Sequence, residues 1–147
     1  MGPQSLIVGS TAKNQSVAGQ QNNAWLWRRL MGSVVLDAGT APQSVYLYAH
    51  CLRDHPGGVA LLALNLSDRP AILAIQGSRG TVYALTAPSL DSGTVMLNDN
   101  PLALSVKGEL PQLSGVPLRS SRARLSPESI EFISIPEAHN AACYDPR

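Results

Sequence analysis

Aromatic residues are scarce in this chain, at 5%: one Phe, two Trp and four Tyr. A glycan-binding surface built on aromatic platforms has few side chains to draw on. Charge is thin as well. Charged residues make up 14%, and the net charge is only +1. A nucleic-acid or membrane-surface protein normally carries a basic excess, which is absent here. No apolar run reaches the ~18 residues of a transmembrane segment. Two cysteines exclude a disulfide-dense miniprotein and leave too few thiols for a Cys-rich zinc site. The stretch Met1 to Leu6 lacks a basic start followed by an apolar run, so no signal peptide is visible.

What is present suits one domain. The chain has 147 residues, 44% of them hydrophobic, which is enough to fill a core. Twelve Gly and eleven Pro imply many turns, hence short strands rather than long helices. Leu6-Ile7-Val8 reads as a short buried strand that ends at Gly9-Ser10, and Thr11 to Asn23 reads as loop. Asn22-Asn23 can cap a helix over Ala24 to Met31, with Arg28 and Arg29 in its last turn and Gly32 just past its end. Trp25 and Trp27 point to different sides of that helix, so a single surface would not easily bury both.

From Ser33 onward the pattern is that of strands. Val34-Val35-Leu36 is apolar, and Val45 to Cys51 alternates, with Val45, Leu47, Ala49 and Cys51 on one face and Tyr46, Tyr48 and His50 on the other. Val59 to Leu66 is nearly all apolar, as in a strand buried on both faces. Ala71 to Ile75, Thr81 to Thr86 and Gly93 to Leu97 are further short strands. Asn98 to Pro101 reads as a turn, and Leu102 to Val106 as its hairpin partner. Lys107 to Leu125 reads as a long connection. Ser129 to Ile135 is a last strand, with Ile130 and Phe132 on one side and Ile133 and Ile135 on the other. Strands about ten residues apart predict a mainly β chain, an antiparallel sandwich or barrel.

Chemical motifs are few. There is no HExxH, GxSxG, Walker loop or paired CxxC, and His50, His55 and His139 are scattered. No metal ligands and no cofactor are assigned. The carboxylates, Glu131 among them, fall mostly in turns and at strand ends, where they normally solvate; no facing pair of the glycosidase kind stands out. Arg119, Arg122 and Arg124 form a small basic patch, read either as a contact for an anionic polysaccharide or as a solvated loop. Asn65-Leu66-Ser67 and Asn14-Gln15-Ser16 match the glycosylation acceptor pattern. Cys51 and Cys143 can meet if the first and last strands of the sheet are neighbours. A bridge would close about 93 residues, worth about 4–5 kcal/mol on chain-entropy grounds. The other reading is two buried thiols.

Several segments, in order along the chain, resemble the C-terminal part of heparanase-like proteins of glycoside hydrolase family 79, closest to the plant type. Trp27 to Leu36 is similar to the family's LWHRLMGTxVL, and Tyr48-Ala49-His50-Cys51 to its YAHC. Val59 to Ser67 resembles VTLLLINLS, Val95 to Leu102 resembles VLLNGTPL, and Ser126 to Pro136 resembles APLSIVFVVLP. Ala141-Ala142-Cys143 matches the cysteine near the family's end.

The resemblance implies a β-sandwich over 33–147. It also implies that 1–32 are the last strand and helix of a (β/α)8 barrel, with the sandwich as accessory domain to that catalytic barrel. It implies a Cys51–Cys143 disulfide. The parent activity that the resemblance implies is that of a retaining endo-β-glucuronidase acting on acidic polysaccharide or proteoglycan. Its two glutamates lie on earlier barrel strands, so no catalytic residue is expected here and the chain alone is expected to be inactive. Gly9, Ser10 and Thr11 stand where the family has a substrate-contacting Gly-Asn-Tyr-Gly, with only the glycine kept. The implied location is extracellular, cell wall, or lysosome and vacuole. The alternative reading is a stand-alone carbohydrate-binding or non-catalytic interaction domain.

Overall fold

The structure, a computed structural model, describes residues 25–75, 79–86, 95–102, 114–118 and 120–144. It is mainly β. A short helix, α1 (25–30), runs directly into β1 (Met31–Leu36). There follow β2 (Val45–Leu52), β3 (Val59–Asn65), β4 (Ala71–Ala74), β5 (Gly80–Thr86), β6 (Val95–Leu97), β7 (Asn100–Leu102), β8 (Val116–Leu118), β9 (Arg122–Leu125) and β10 (Ser129–Ile135). A 3-10 turn, Ala141–Cys143, comes after β10.

Eight strands form one antiparallel sheet in the order β1-β2-β3-β10-β5-β6-β7, with β8 also on β5; β4 and β9 form a second, two-stranded sheet. The last strand lies at the centre, paired with β3 on one side and β5 on the other. That position explains its sequence. A central strand is buried on both faces, and every residue of β10 except Ile130 is buried.

The register sorts side chains into two cores. Tyr48, Leu62, Phe132 and Tyr83 form one row across β2, β3, β10 and β5. They share a face with Leu64, Leu85 and Leu97, and α1 lies against this core through Leu26 and Leu30. Leu47, Ala63, Glu131 and Ala84 form a row on the opposite face. There Ala63, Ile133 and Ile135 meet Leu73 of β4 and Ala123 and Leu125 of β9. The second sheet thus packs on the first, and the antiparallel β-sandwich follows from period-2 alternation on both.

Several details differ from the sequence expectation. The helix stops at residue 30, and Gly32 lies inside β1 instead of capping the helix. It is there for close approach: a Cβ would lie 2.6 Å from the Cys51 carbonyl oxygen. Trp25 and Trp27 both pack, partly buried, against the same core, into which Leu26 between them is fully buried. The β6–β7 turn is only Asn98-Asp99, with φ of 50° and 69°, the left-handed pair of a tight hairpin. Pro101 therefore lies in β7, a terminal strand of the sheet order, where a missing N–H is tolerated.

The expected connection Lys107 to Leu125 contains two strands, β8 and β9. β9 had a readable signal. Arg122-Ala123-Arg124-Leu125 alternates exposed and buried, but a small residue in one apolar slot hides the pattern.

Candidate functional site

Three regions carry the polar and aromatic groups. The first is the disulfide corner. Cys51 lies near the end of β2 and is bonded to Cys143 of the 3-10 turn, with Cα atoms 5.3 Å apart. The two cysteines do not meet through neighbouring first and last strands, since β10 pairs with β3 and β5. Instead the chain after β10 folds back to the end of β2. Asn140 Oδ1 accepts from Ala142 N at 2.9 Å and caps the turn. Gly57 N donates to the Cys143 carbonyl at 2.7 Å, and Asn140 N donates to the Gly57 carbonyl at 2.9 Å. Gly57 has φ +81° beneath the Tyr144 ring, leaving no room for a Cβ. A cavity of about 420 Å³ opens beside the bridge, lined by Gly32, Leu52, Arg53, Asp54, His55 and Cys143. Its sulfurs are bonded to each other, so neither is a nucleophile. Arg53 Nη2 is engaged on the Met31 carbonyl at 3.0 Å.

The second region is the helix face. Arg29 stacks over Trp25, 4.8 Å from the ring centroid, and Trp27 meets His50 edge-on at 5.1 Å. His50 Nδ1 is hydrogen-bonded to the Gly32 carbonyl at 2.7 Å. Tyr46 is 44% exposed and Tyr48 half-buried on the same strand face. Burial, and then the neighbouring Tyr46, push the Tyr48 phenol above its ordinary pKa.

The third region is the edge of β5 on the face that carries β4 and β9. β8 pairs with β5 at Gly80–Val82, and β6 pairs with it at Leu85–Thr86. Asn98 fills the break between them. Its Oδ1 accepts from Ala84 N at 3.1 Å, and its Nδ2 donates to the carbonyls of Val82 at 3.2 Å and Ser114 at 3.1 Å. One amide side chain thus does the work of a missing strand segment. Beside it lies a cavity of about 280 Å³.

Glu131 lines this cavity and is 2% exposed. Its Oε2 accepts from Ser126 N at 2.9 Å and from Ser129 Oγ at 3.0 Å. Burial raises the pKa of its carboxyl above the ordinary value; those two bonds and nearby Arg124 pull it partly back. The expectation of solvated carboxylates is therefore wrong for Glu131. Its parity with Ile133 and Ile135 was the sequence signal that placed it inside.

The remaining candidate residues are dispersed. Gly9, Ser10, Thr11, Asn14 and Arg119 lie outside the described residues. Arg122 and Arg124 are exposed on β9, opposite Ala74 and Ile72 of β4. They sit on a strand, not in a loop. Asn65 is fully buried. Its Nδ2 donates to the carbonyls of Arg69 at 2.9 Å, Ser126 at 3.0 Å and Leu125 at 3.5 Å, and its Oδ1 accepts from Ser67 N at 3.1 Å. That amide ties the β3–β4 turn to the end of β9. A glycan on Nδ2 would have to displace those bonds. Among the described residues no helix is long and apolar enough to cross a membrane.

No family model matches the sequence, and no curated protein matches it. Solved structures with a similar fold exist. BuGH86 in complex with neoagarooctaose aligns with a TM-score of 0.53 and 13% identity over 81% of this chain and 18% of that chain. A glutamate-to-glutamine variant of BuGH86 in complex with neoagarooctaose aligns with a TM-score of 0.52 and 14% identity over 78% of this chain and 16% of that chain. The chain spans less than a fifth of the length of these proteins. At such low identity the likeness is one of fold: this β-sandwich is similar to a small part of a much larger glycoside hydrolase structure.

Proposed function

We propose that the chain is the C-terminal accessory domain of a heparanase-like endo-β-glucuronidase. In this reading the chain up to the end of α1 completes a (β/α)8 barrel, the strands from β1 onward form the sandwich against it, and the parent cleaves glucuronide linkages by the retaining two-glutamate route. The chain by itself does no hydrolysis, and its task is to cover one side of the catalytic barrel. Gly9, Ser10 and Thr11 would stand at the edge of the substrate cleft.

The observation that carries the reading is the fold match. It takes in most of this chain and only 16–18% of each glycoside hydrolase structure it aligns with. The helix adds support. α1 is held to the sandwich through Leu26 and Leu30, while Arg28 and Arg29 remain exposed on it. A helix shared between two bodies needs one face for each. The disulfide fits an oxidising compartment, in keeping with an extracellular, cell-wall, or lysosomal and vacuolar location.

The test has two parts. The purified chain is assayed on a chromogenic β-glucuronide and on heparan sulfate, with no turnover expected. The transcript upstream of Met1 is sequenced, with an in-frame barrel carrying two glutamates expected. Turnover by the chain alone, or a stop codon just upstream, overturns the reading.

A further inference from the structure

The turn between β9 and β10, residues 126–128, is tied by side chains that share too few protons. Ser129 Oγ lies 2.7 Å from the Ser126 carbonyl oxygen and 3.0 Å from Glu131 Oε2. A serine hydroxyl has one proton to give. The Ser126 carbonyl and an ionised Glu131 therefore compete for it. Asn65 does not make up the difference, because its two amide protons already face three carbonyls, those of Arg69, Ser126 and Leu125. Ser129 and Glu131 are 3% and 2% exposed, so bulk water is a poor substitute for a bond lost here. The backbone of the turn depends on this corner as well. Glu128 has φ 52°, in the left-handed region, and donates its N–H to the Ser67 carbonyl at 3.0 Å.

The charge on Glu131 decides the contest. A carboxylate is a stronger acceptor than a neutral carbonyl, so ionised Glu131 draws the Ser129 proton and leaves the Ser126 carbonyl to the Asn65 amide. Protonated Glu131 is a weak acceptor, and its own O–H finds Ser129 Oγ within reach. The Ser129 proton then returns to the Ser126 carbonyl, with Ser126 N still 2.9 Å from Oε2. We infer that Glu131, Ser129 and Ser126 form a proton-operated latch that closes the β9–β10 turn in acid and releases it as pH rises. Burial keeps the Glu131 proton on above the ordinary value of 4.5, so release comes above that value. Among the described residues, the charged groups lining the same cavity are Arg124 of β9 and Asp99 of the β6–β7 turn, both exposed. The neighbours in register, Ala63 of β3 and Ala84 of β5, carry no charge, nor does Val116 of β8. Glu128, in the turn itself, is exposed. The latch uses only groups of this chain and stands apart from the glucuronidase reading.

The experiment is a carbon-detected NMR titration of the chain from about pH 3 to about pH 8, spanning the range over which carboxyl groups titrate. The Ser126 carbonyl carbon is expected to shift with the same midpoint as the Glu131 carboxyl carbon. Across that midpoint the hydrogen-exchange protection of the Glu128 N–H, corrected for the intrinsic pH dependence, should fall about fivefold, the worth of one ordinary hydrogen bond. Ser129→Ala removes the shared proton and should take away most of the Ser126 step. Asp99→Asn removes the other carboxyl at the cavity and should leave the step in place. A Ser126 carbonyl that does not move with Glu131 overturns the inference in the wild type alone, so the test survives a variant that fails to fold. So does a step that keeps its full size in Ser129→Ala or disappears in Asp99→Asn, or a Glu128 protection that stays constant or rises across the midpoint.

Discussion

The two faces of the large sheet solve the same burial problem differently. One face is covered by β4 and β9, a pair of short strands whose Leu73, Ala123 and Leu125 fit against Ala63, Ile133 and Ile135. The other face, centred on Phe132 and Leu62, receives α1, with Trp25, Trp27, Tyr48 and Tyr83 only partly buried around it. Small aliphatic side chains close the first face. Large, only partly buried aromatics line the second. A face closed by the chain's own strands is finished. A face edged by half-buried rings is the kind that a neighbouring body can still use.

The largest effect expected comes from a tie that belongs to neither face. Replacing Cys51 and Cys143 by serine opens a loop spanning 92 residues in sequence. It should cost about 4–5 kcal/mol on chain-entropy grounds. Thermal unfolding with and without reductant measures it. A loss below about 1 kcal/mol would mean that the backbone bonds of Gly57 to Cys143 and Asn140 hold the corner unaided.

Next comes a direct contest between the faces. Leu26 of α1 and Leu125 of β9 are both fully buried. Each leucine-to-alanine change should cost about 2–5 kcal/mol. Equal losses in chemical denaturation would make α1 as much part of the sandwich as β9. A loss at Leu26 well under that at Leu125 would break the comparison, since α1 would then be only loosely held here.

Asn65→Ala tests the joint at the edge of the strand-covered face. It strips partners from the carbonyls of Arg69 and Leu125 and from Ser67 N. A loss of about 2–3 kcal/mol is expected, with faster hydrogen exchange in the β3–β4 turn. Unchanged exchange there would contradict the role given to this amide.

The smallest effect concerns Glu131, and its sign follows from linkage. The folded chain holds the Glu131 proton more tightly than the unfolded chain does. The stability this contributes is therefore fully present below the ordinary carboxylate value of 4.5. It is lost as pH rises through the raised folded value. The melting temperature of the wild type relative to Glu131→Gln should fall as pH rises from acid toward neutral. A difference that stays constant with pH would show that burial does not shift this carboxyl.

Much of the fold was readable where side-chain period and burial agree. β2 shows its alternation, β3 its continuous apolar run, and β10 its two sides, Ile130 with Phe132 against Ile133 with Ile135. The elements missed or misplaced were those held by pairing more than by pattern. β7 begins at Asn100, two residues before the expected Leu102. β8 is three residues long, two of them exposed, and exists because β5 offers an edge at Gly80–Val82. The candidate site was less readable. Arg122 and Arg124 were named from their charge, but nothing local told a strand from a loop. Asn98 and Asn65 each looked like ordinary turn or strand-end polar residues, and Glu131 was readable only through its parity with Ile133 and Ile135.

Sequence alone determined that this is a mainly β chain of short antiparallel strands, with one short helix before them, because alternation and turn chemistry act over a few residues. It also named the two cysteines. Only the tertiary structure decided that the last strand lies at the centre of the sheet, and that the bridge is reached by a tail folding back to β2. It alone placed one carboxyl beside an open cavity between β5 and β9. Those facts depend on which strands become neighbours across long stretches of chain, and that is settled by the packing of two whole faces.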